Sequence, residues 1–501
     1  MFRLKHLPVD TLREHVIMIH EQAVRSGNLG FNPLDRVRVS GSDPATGKSR
    51  EITGVLNFCR DALVGPEEVG LSDEAFHDFG LPEGTLVSAS LAVAPHSVDL
   101  VRDKLAGKRL DRTGFTAILA DVAARRYSRV ELAMFVLACA LKRLDLAELV
   151  DYTHAMIDTG DQLKFEADIV ADKHCIGGIP GNRTTMIVVP ILASLGLTIP
   201  KTSSRAITSP AGTADTMGVL ADVSLSADRI HQVVNRTGAC IAWGGALELA
   251  PADDVLITVE RPMELDTEAQ MVASILAKKK TVSATHVLID IPVGPSAKVR
   301  TYAAADQLAS LFRAVAAHLD LHLEVALTDA RAPVGRGIGP RLEALDVLSV
   351  LRCDADAPQD LREKSLYLAS RIIEMSGRVL PGAGYREVRR TLDCGAAMAK
   401  FSEIVDAQGP RDLPPEAPYR YTVTAPADGR IRNVDCWEIA RVAKRAGAPA
   451  NVAAGVKMLK SVGDILSKGE PLFEIHACST EQLETARAYA QEHPGIITMG
   501  F

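Results

Sequence analysis

Asp172-Lys173-His174-Cys175-Ile176-Gly177-Gly178-Ile179-Pro180-Gly181-Asn182-Arg183-Thr184-Thr185 is the stretch on which the reading of this chain turns. Three glycines and a proline force a compact turn, and hydroxyl residues then open a helix over residues 185–194 that is apolar enough to be buried. Such a loop directs backbone N–H groups and a helix N-terminus at an anion, and Lys173 adds a full charge. It is not a Walker loop, because no G-K-[ST] closes it. Taken alone, the stretch could also be a tight turn carrying an incidental lysine and histidine.

On the C-terminal side, residues 285–293 read as a strand interrupted only by His286 and Asp290, with His286 assigned to the core. Residues 302–319 are helical, 321–328 form a strand, and Pro and Gly cluster at 332–337 before a helix over 341–351. Alternation of this kind predicts an α/β fold, a central sheet with helices on its faces. Upstream, apolar residues at three- and four-residue spacing predict helices over 97–106, 111–123, 128–144 and 147–159. Residues 1–95 read as short strands and turns with one helix, strands being placed at 36–40 and 51–55 by alternation. Past a proline-rich linker at 408–418, strands at 421–425, 429–434 and 470–476 suggest a small α+β domain. The expected division is a β-rich domain over 1–95, an all-helical domain over 96–165 and 250–282, an α/β domain over 166–249 and 283–408, and a C-terminal α+β domain over 416–501.

Composition narrows the function. The chain has 501 residues, a net charge of -7, 4% aromatic residues and no long basic run. A nucleic-acid binder needs a basic face, and a single-strand binder also needs stacking aromatics, so the expected partners are small molecules. No apolar run reaches the ~18 residues of a membrane helix, and the N-terminus lacks the apolar core of a signal peptide. The eight cysteines are scattered, with no C-x-x-C pair, which fits a reducing cytosol better than disulfides or a zinc ribbon. A cytoplasmic protein is therefore expected.

A second anion-type segment, Ser203-Ser204-Arg205-Ala206-Ile207-Thr208-Ser209-Pro210-Ala211-Gly212-Thr213-Ala214-Asp215, packs five hydroxyl residues and one arginine into the eleven positions from Ser203 to Thr213. Hydroxyls and a guanidinium suit phosphate oxygens. Together KHCIGGIPGN at 173–182, SSRAITSPAGTAD at 203–215, ASILAKK at 273–279 and TDARAPVGRGIG at 328–339 resemble the thymidine phosphorylase and AMP phosphorylase family, in order and with its spacing. Residues 1–95 resemble the extra N-terminal domain of that family's longer branch.

The resemblance implies roles. Lys173, Ser203 and Thr213 match phosphate-binding positions. Cys175 stands where the pyrimidine enzymes carry a phosphate-binding serine, and its thiol is a weaker donor. His174 matches a histidine that acts as an acid near the base, the alternative to Asp266 as the group that protonates it. Gly178, Ser204, Arg205, Ala206, Ile207, Thr208, Ser209 and Thr213 match nucleotide-contacting positions of the AMP branch. There Asp266 matches the proton donor, with Ser274 and Lys298 as substrate contacts; Asp266 would serve equally as a helix N-cap. In the pyrimidine branch Ser274 and Lys278 face the base from one helix face, but the accompanying arginine falls on Val259. At 294–298 a Gly-Pro-Ser-Ala-Lys sequence puts Lys298 where the thymidine enzymes have an aromatic residue. The lost arginine and gained lysine point to a nucleoside 5′-monophosphate. AMP plus phosphate giving adenine and ribose 1,5-bisphosphate is thus the first expectation, thymidine phosphorolysis the second, and an inactive nucleotide-binding regulator the remote third. The resemblance implies inorganic phosphate as a co-substrate, with no metal site and no redox or organic cofactor, and a homo-oligomer, a dimer at least.

Overall fold

A computed structural model of the chain describes all residues except 12, 13, 28, 207, 208, 248, 266 and 501. The described residues form two compact units, one comprising residues 1–160 and 250–277, the other residues 161–249 and 278–501.

In the first unit the alternation read at Arg36–Ser42 buries Val37 and Val39 completely and turns Arg38 outward, the period-two pattern of a half-buried strand. This strand and Ser49–Cys59 pair with Phe2–His6, Val16–His20, Glu68–Leu71 and Leu86–Leu91 in a closed six-stranded barrel. Closure leaves no free sheet edge. Two short helices, Glu21–Gly27 and Asp73–Phe79, accompany it where one was expected. Helices Ser97–Leu105, Arg112–Ala123, Arg129–Leu141 and Leu146–Asp158 follow close to their expected limits. Side chains of Asp111, Ser128 and Asp145 each accept the backbone N–H three residues on, which fixes where the last three start. A buried ion pair, Lys104 Nζ to Glu148 Oε1 at 2.6 Å, ties the first of these helices to the last.

Parallel strands organise the second unit. His286–Val293 lies between Ala171–Cys175 and His322–Asp329, and Ile199–Ser203 pairs with Ala239–Trp243. A parallel bridge from Val170 to Thr198 links the two sets. The helix Thr185–Ser194 is buried from Thr185 through Ala193, apolar on every side, as a helix inside a layered core must be. It packs against Gln359–Met375 and Ala396–Gln408. His286, expected in the core, is half-buried at the start of its strand and stacks on His322 with ring centroids 4.6 Å apart. Its register partners, His322 on one side and Ala171 on the other, are the first residues of their strands, so it sits at the sheet's end rather than in its middle.

Because these strands are parallel, the loops after Cys175, Ser203, Val293 and Asp329 all leave the same edge, where ligands of open α/β sheets bind. The Pro- and Gly-rich segment at 332–337, expected to be a loop before the next helix, runs into a short strand. Gly337–Ile338 pairs with Gly455–Met458 at the edge of the C-terminal antiparallel sheet, and Ile338 is buried in that domain's core. The observed fold is therefore the expected mixed α/β class, with a β-barrel, a helical region, central parallel sheets and a C-terminal α+β part.

Candidate active site

Alternation along Ala171–Cys175 sends Lys173 and Cys175 to one face of the sheet and Asp172 and His174 to the other. The two faces carry different chemistry.

On the first face Lys173 is 1% exposed, and its Nζ donates to Thr184 Oγ1 at 2.8 Å and lies 3.8 Å from Asp290 Oδ2. Burial pulls its pKa below the usual lysine value. Asp290 is directly opposite Cys175 in register and fully buried. It accepts a hydrogen bond from Thr328 Oγ1 at 2.6 Å, and Lys364 Nζ stands 3.4 Å from its other oxygen. Cys175 Sγ takes a hydrogen bond from Asn182 Nδ2 at 3.3 Å. Burial and the Asp290 charge push the thiol up to about 11, so the thiol is un-ionised at neutral pH.

The turn between strand and helix uses its glycines as the sequence suggested. Gly177 and Gly178 have φ of +90° and +91°, which side chains other than glycine's resist. A Cβ on Gly181 would lie 2.2 Å from the Val334 carbonyl oxygen, so the 176–184 turn and the 328–339 motif meet backbone to backbone.

Arg183 joins these segments to the third. Its guanidinium pairs with fully buried Glu343 through Nε and donates to the Ala211 carbonyl at 2.7 Å and Thr213 Oγ1 at 3.3 Å. Glu343 in turn accepts from Thr216 Oγ1 at 2.9 Å and Gly339 N at 3.2 Å. One buried ion pair thus holds three of the four motifs together.

Within the 203–215 segment, Asp215 accepts the Ala206 and Gly212 N–H groups at 2.6 and 2.8 Å, folding the loop on itself. Ser203 and Thr213 are half-buried. Ser209 Oγ is engaged with the Ala211 carbonyl at 2.8 Å. Ser204 is exposed, and Arg205 lays its guanidinium over the Trp243 ring, 4.3 Å from the centroid. Ile207 and Thr208 lie outside the described residues.

The second face is a lysine cluster. Asp172 sits between Lys279 Nζ at 2.7 Å and Lys201 Nζ at 3.2 Å. Burial pushes its carboxyl up, but the two ammonium groups outweigh that and hold it below the ordinary value. Burial pulls Lys201 down to about 7. His174, beside them, is held well below the usual histidine value by burial and by Lys279, Lys201, Lys173 and Lys278. At neutral pH His174 is therefore a neutral imidazole, able to donate one N–H but not to act as an imidazolium.

A stability consequence follows from that shift. Below a pH of about 6.5 the unfolded chain protonates this imidazole and the folded chain does not, so stability falls as pH falls. Wild type should lose more thermal stability between pH 7.5 and 5.5 than His174→Gln does. Parallel melting curves for the two proteins would show that His174 titrates normally.

Lys298 is exposed, and its backbone nitrogen lies 3.3 Å from where a Cβ on Gly178 would be. The 294–298 loop thus rests against the turn at Gly178. Ser274 and Lys278 are half-buried, four residues apart on the helix Glu268–Thr281. Val259 is buried in the helix Pro251–Glu260. Asp266 lies outside the described residues, and the oxygen that accepts the Gln270 N–H, at 3.2 Å, belongs to Thr267. Sequence reasoning passed over Thr184, Arg183, Asp290, Glu343, Lys364 and the Asp172–Lys201–Lys279 cluster. Only Asp290, a carboxylate in an otherwise apolar strand, carried a visible signal.

Residues 167–397 match the glycosyl transferase family a/b domain, and residues 430–496 match the pyrimidine nucleoside phosphorylase C-terminal domain. A Methylococcus capsulatus protein named "Putative thymidine phosphorylase" is 46% identical over 98% of this chain and 95% of its own length. A Rhodopseudomonas palustris protein of the same name is 46% identical over 98% of this chain and 95% of its own. Among solved structures, an anthranilate phosphoribosyltransferase from Thermus thermophilus aligns with a TM-score of 0.53 at 16% identity, covering 62% of this chain and 99% of its own, a likeness of fold. Two matching domains in order and near-full-length identity to these relatives place the chain in glycosyl transferase family 3, among the pyrimidine nucleoside phosphorylases.

Proposed function

We propose that this protein cleaves the N-glycosidic bond of thymidine with inorganic phosphate, giving thymine and 2-deoxyribose 1-phosphate. The observation that carries the reading is the 46% identity, over nearly the whole length, to relatives named for thymidine phosphorylase. The buried Lys173 with Thr184, beside Ser203 and Thr213, supplies a cationic, hydroxyl-lined cradle for the phosphate. A phosphate oxygen attacks C1′ while the glycosidic electron pair leaves with the base. Phosphate held at C1′ stabilises the positive charge that builds on the sugar, and its fixed position makes the attack effectively unimolecular. The base leaves as an anion and takes up one proton from water, while hydrogen phosphate gives up its own proton as it becomes the sugar ester, so the step balances.

AMP, the first expectation from the sequence, becomes the second reading. One observation favours it: Lys298 lies against the Gly178 turn, where a cation suits a 5′-phosphate. A phosphorolysis panel of thymidine, uridine, AMP and CMP separates the two. Thymidine turnover that survives Lys298→Ala supports the first reading. Turnover of AMP with none of thymidine would replace it with the second.

A further inference from the structure

Two buried atoms beside Lys173 remain unaccounted for. Lys364 Nζ and Asp290 Oδ2 are buried, and neither has a hydrogen-bond partner among the described residues, although they are 3.4 Å apart. The Lys364 side chain is 10% exposed and Asp290 is fully buried. Lys173 Nζ lies 3.8 Å from the same Asp290 oxygen. Two ammonium groups therefore share one carboxylate oxygen, which leaves one positive charge in excess in a desolvated site. A buried charge without a counter-charge is costly, and so are buried donors and acceptors left unpaired. Both costs are removed by an anion that also carries a hydrogen.

Hydrogen phosphate is such an anion. Its charged oxygens accept from ammonium groups, and its P–OH donates to a carboxylate. The face is the right one: Lys173 and Cys175 alternate onto it, and Asp290 is the register partner of Cys175. The weak donor at Cys175 leaves a deficit there that a further cation would offset.

On the reading that this is a phosphorylase, we propose that Lys364 and Asp290 complete the phosphate subsite. Lys364 Nζ binds an anionic oxygen, and Asp290 Oδ2 accepts the hydrogen of hydrogen phosphate. Lys364 comes from the helix Gln359–Met375, outside all four motifs, so it is a cation that motif reading does not reach. Sulfate has the shape and charge of the phosphate dianion but no hydrogen at neutral pH, so it should fit poorly against Asp290.

The test is direct binding of inorganic phosphate to the full-length protein by calorimetry, with sulfate as the control, followed by steady-state kinetics. Wild type should bind phosphate at least tenfold more tightly than sulfate. Lys364→Met removes the charge and leaves Lys173 and Asp290 as a neutral pair. It should weaken phosphate binding at least tenfold and raise KM for phosphate to match, with KM for the nucleoside within twofold. Lys364→Arg should restore much of the loss and serves as the charged, folded comparison. Wild-type phosphate affinity in a folded Lys364→Met protein would overturn the proposal, as would equal affinity for sulfate or unchanged affinity alongside an inactive Lys364→Arg. Phosphate binding with these properties but no turnover of any nucleoside would sink the phosphorylase reading and leave the subsite standing.

Discussion

Lys173→Met is expected to lower kcat/KM for phosphorolysis by roughly a thousandfold and to leave the chain folded. The size of the loss comes from where the charge sits. Lys173 is 1% exposed and hydrogen-bonded to Thr184 Oγ1, so its ammonium is fixed and water cannot screen it. A preorganised charge of this kind, aimed at a nucleophilic anion, contributes more than the same charge in solvent. Folding should survive because Asp290 retains Lys364 as its counter-ion at 3.4 Å. Circular dichroism and a thermal melt alongside the kinetics check both halves. A near-normal kcat/KM would mean that phosphate does not bind at Lys173.

Glu343→Gln is expected to cost about 3–5 kcal/mol in the second unit, because it strands the Arg183 guanidinium without its counter-ion in a buried site. Glutamine keeps one acceptor oxygen, which can still serve Arg183 Nε and Thr216 Oγ1, but its NH2 then faces the Gly339 N–H, so one backbone hydrogen bond is lost along with the charge. Activity should fall with stability. Arg183 also holds the Ala211 carbonyl and Thr213 Oγ1, and a slack guanidinium releases the 203–215 loop from the 176–184 turn. Adding Arg183→Met to Glu343→Gln should recover part of the lost melting temperature, since the pair is then removed rather than broken. Activity should stay low in the double variant, because the tie between the loops is gone. Additive destabilisation in the double variant would contradict this account of the pair.

Local pattern carried most of the fold. Period-two burial at Val37 and Val39, the three- and four-residue spacing behind Arg112–Ala123, Arg129–Leu141 and Leu146–Asp158, and the unbroken apolar run through Thr185–Ser194 are decided within a few residues, and each was legible. Barrel closure was not, because it depends on pairing Phe2–His6 with both Glu68–Leu71 and Leu86–Leu91, far along the chain. The Gly337–Ile338 strand was missed for a similar reason: two residues show no periodicity, and the partner that makes them a strand lies at Gly455–Met458.

The site divides in the same way. Lys173, Ser203 and Thr213 sit in dense motifs and could be picked out one by one. Lys364 and Glu343 look like ordinary helix residues, and only the packing of Gln359–Met375 and Pro340–Arg352 against the sheet brings them to the loops. The lysines around His174 gave no warning that they would keep it neutral, since that shift comes from residues at 201, 278 and 279 converging on one strand. For Arg205 the sequence offers only a guanidinium among hydroxyls; its place over Trp243, with Ser224 Oγ at 3.5 Å, depends on a strand and a loop further along the chain.

The central claim is that phosphate itself is the nucleophile at the Lys173 face. Incubating the protein with thymidine, and separately with AMP, in the presence and absence of 32P-labelled phosphate tests it most directly. The account predicts base release only when phosphate is present, with one label incorporated as a sugar 1-phosphate ester per base released. Base release without phosphate, or release with phosphate but no label in the sugar, would contradict it.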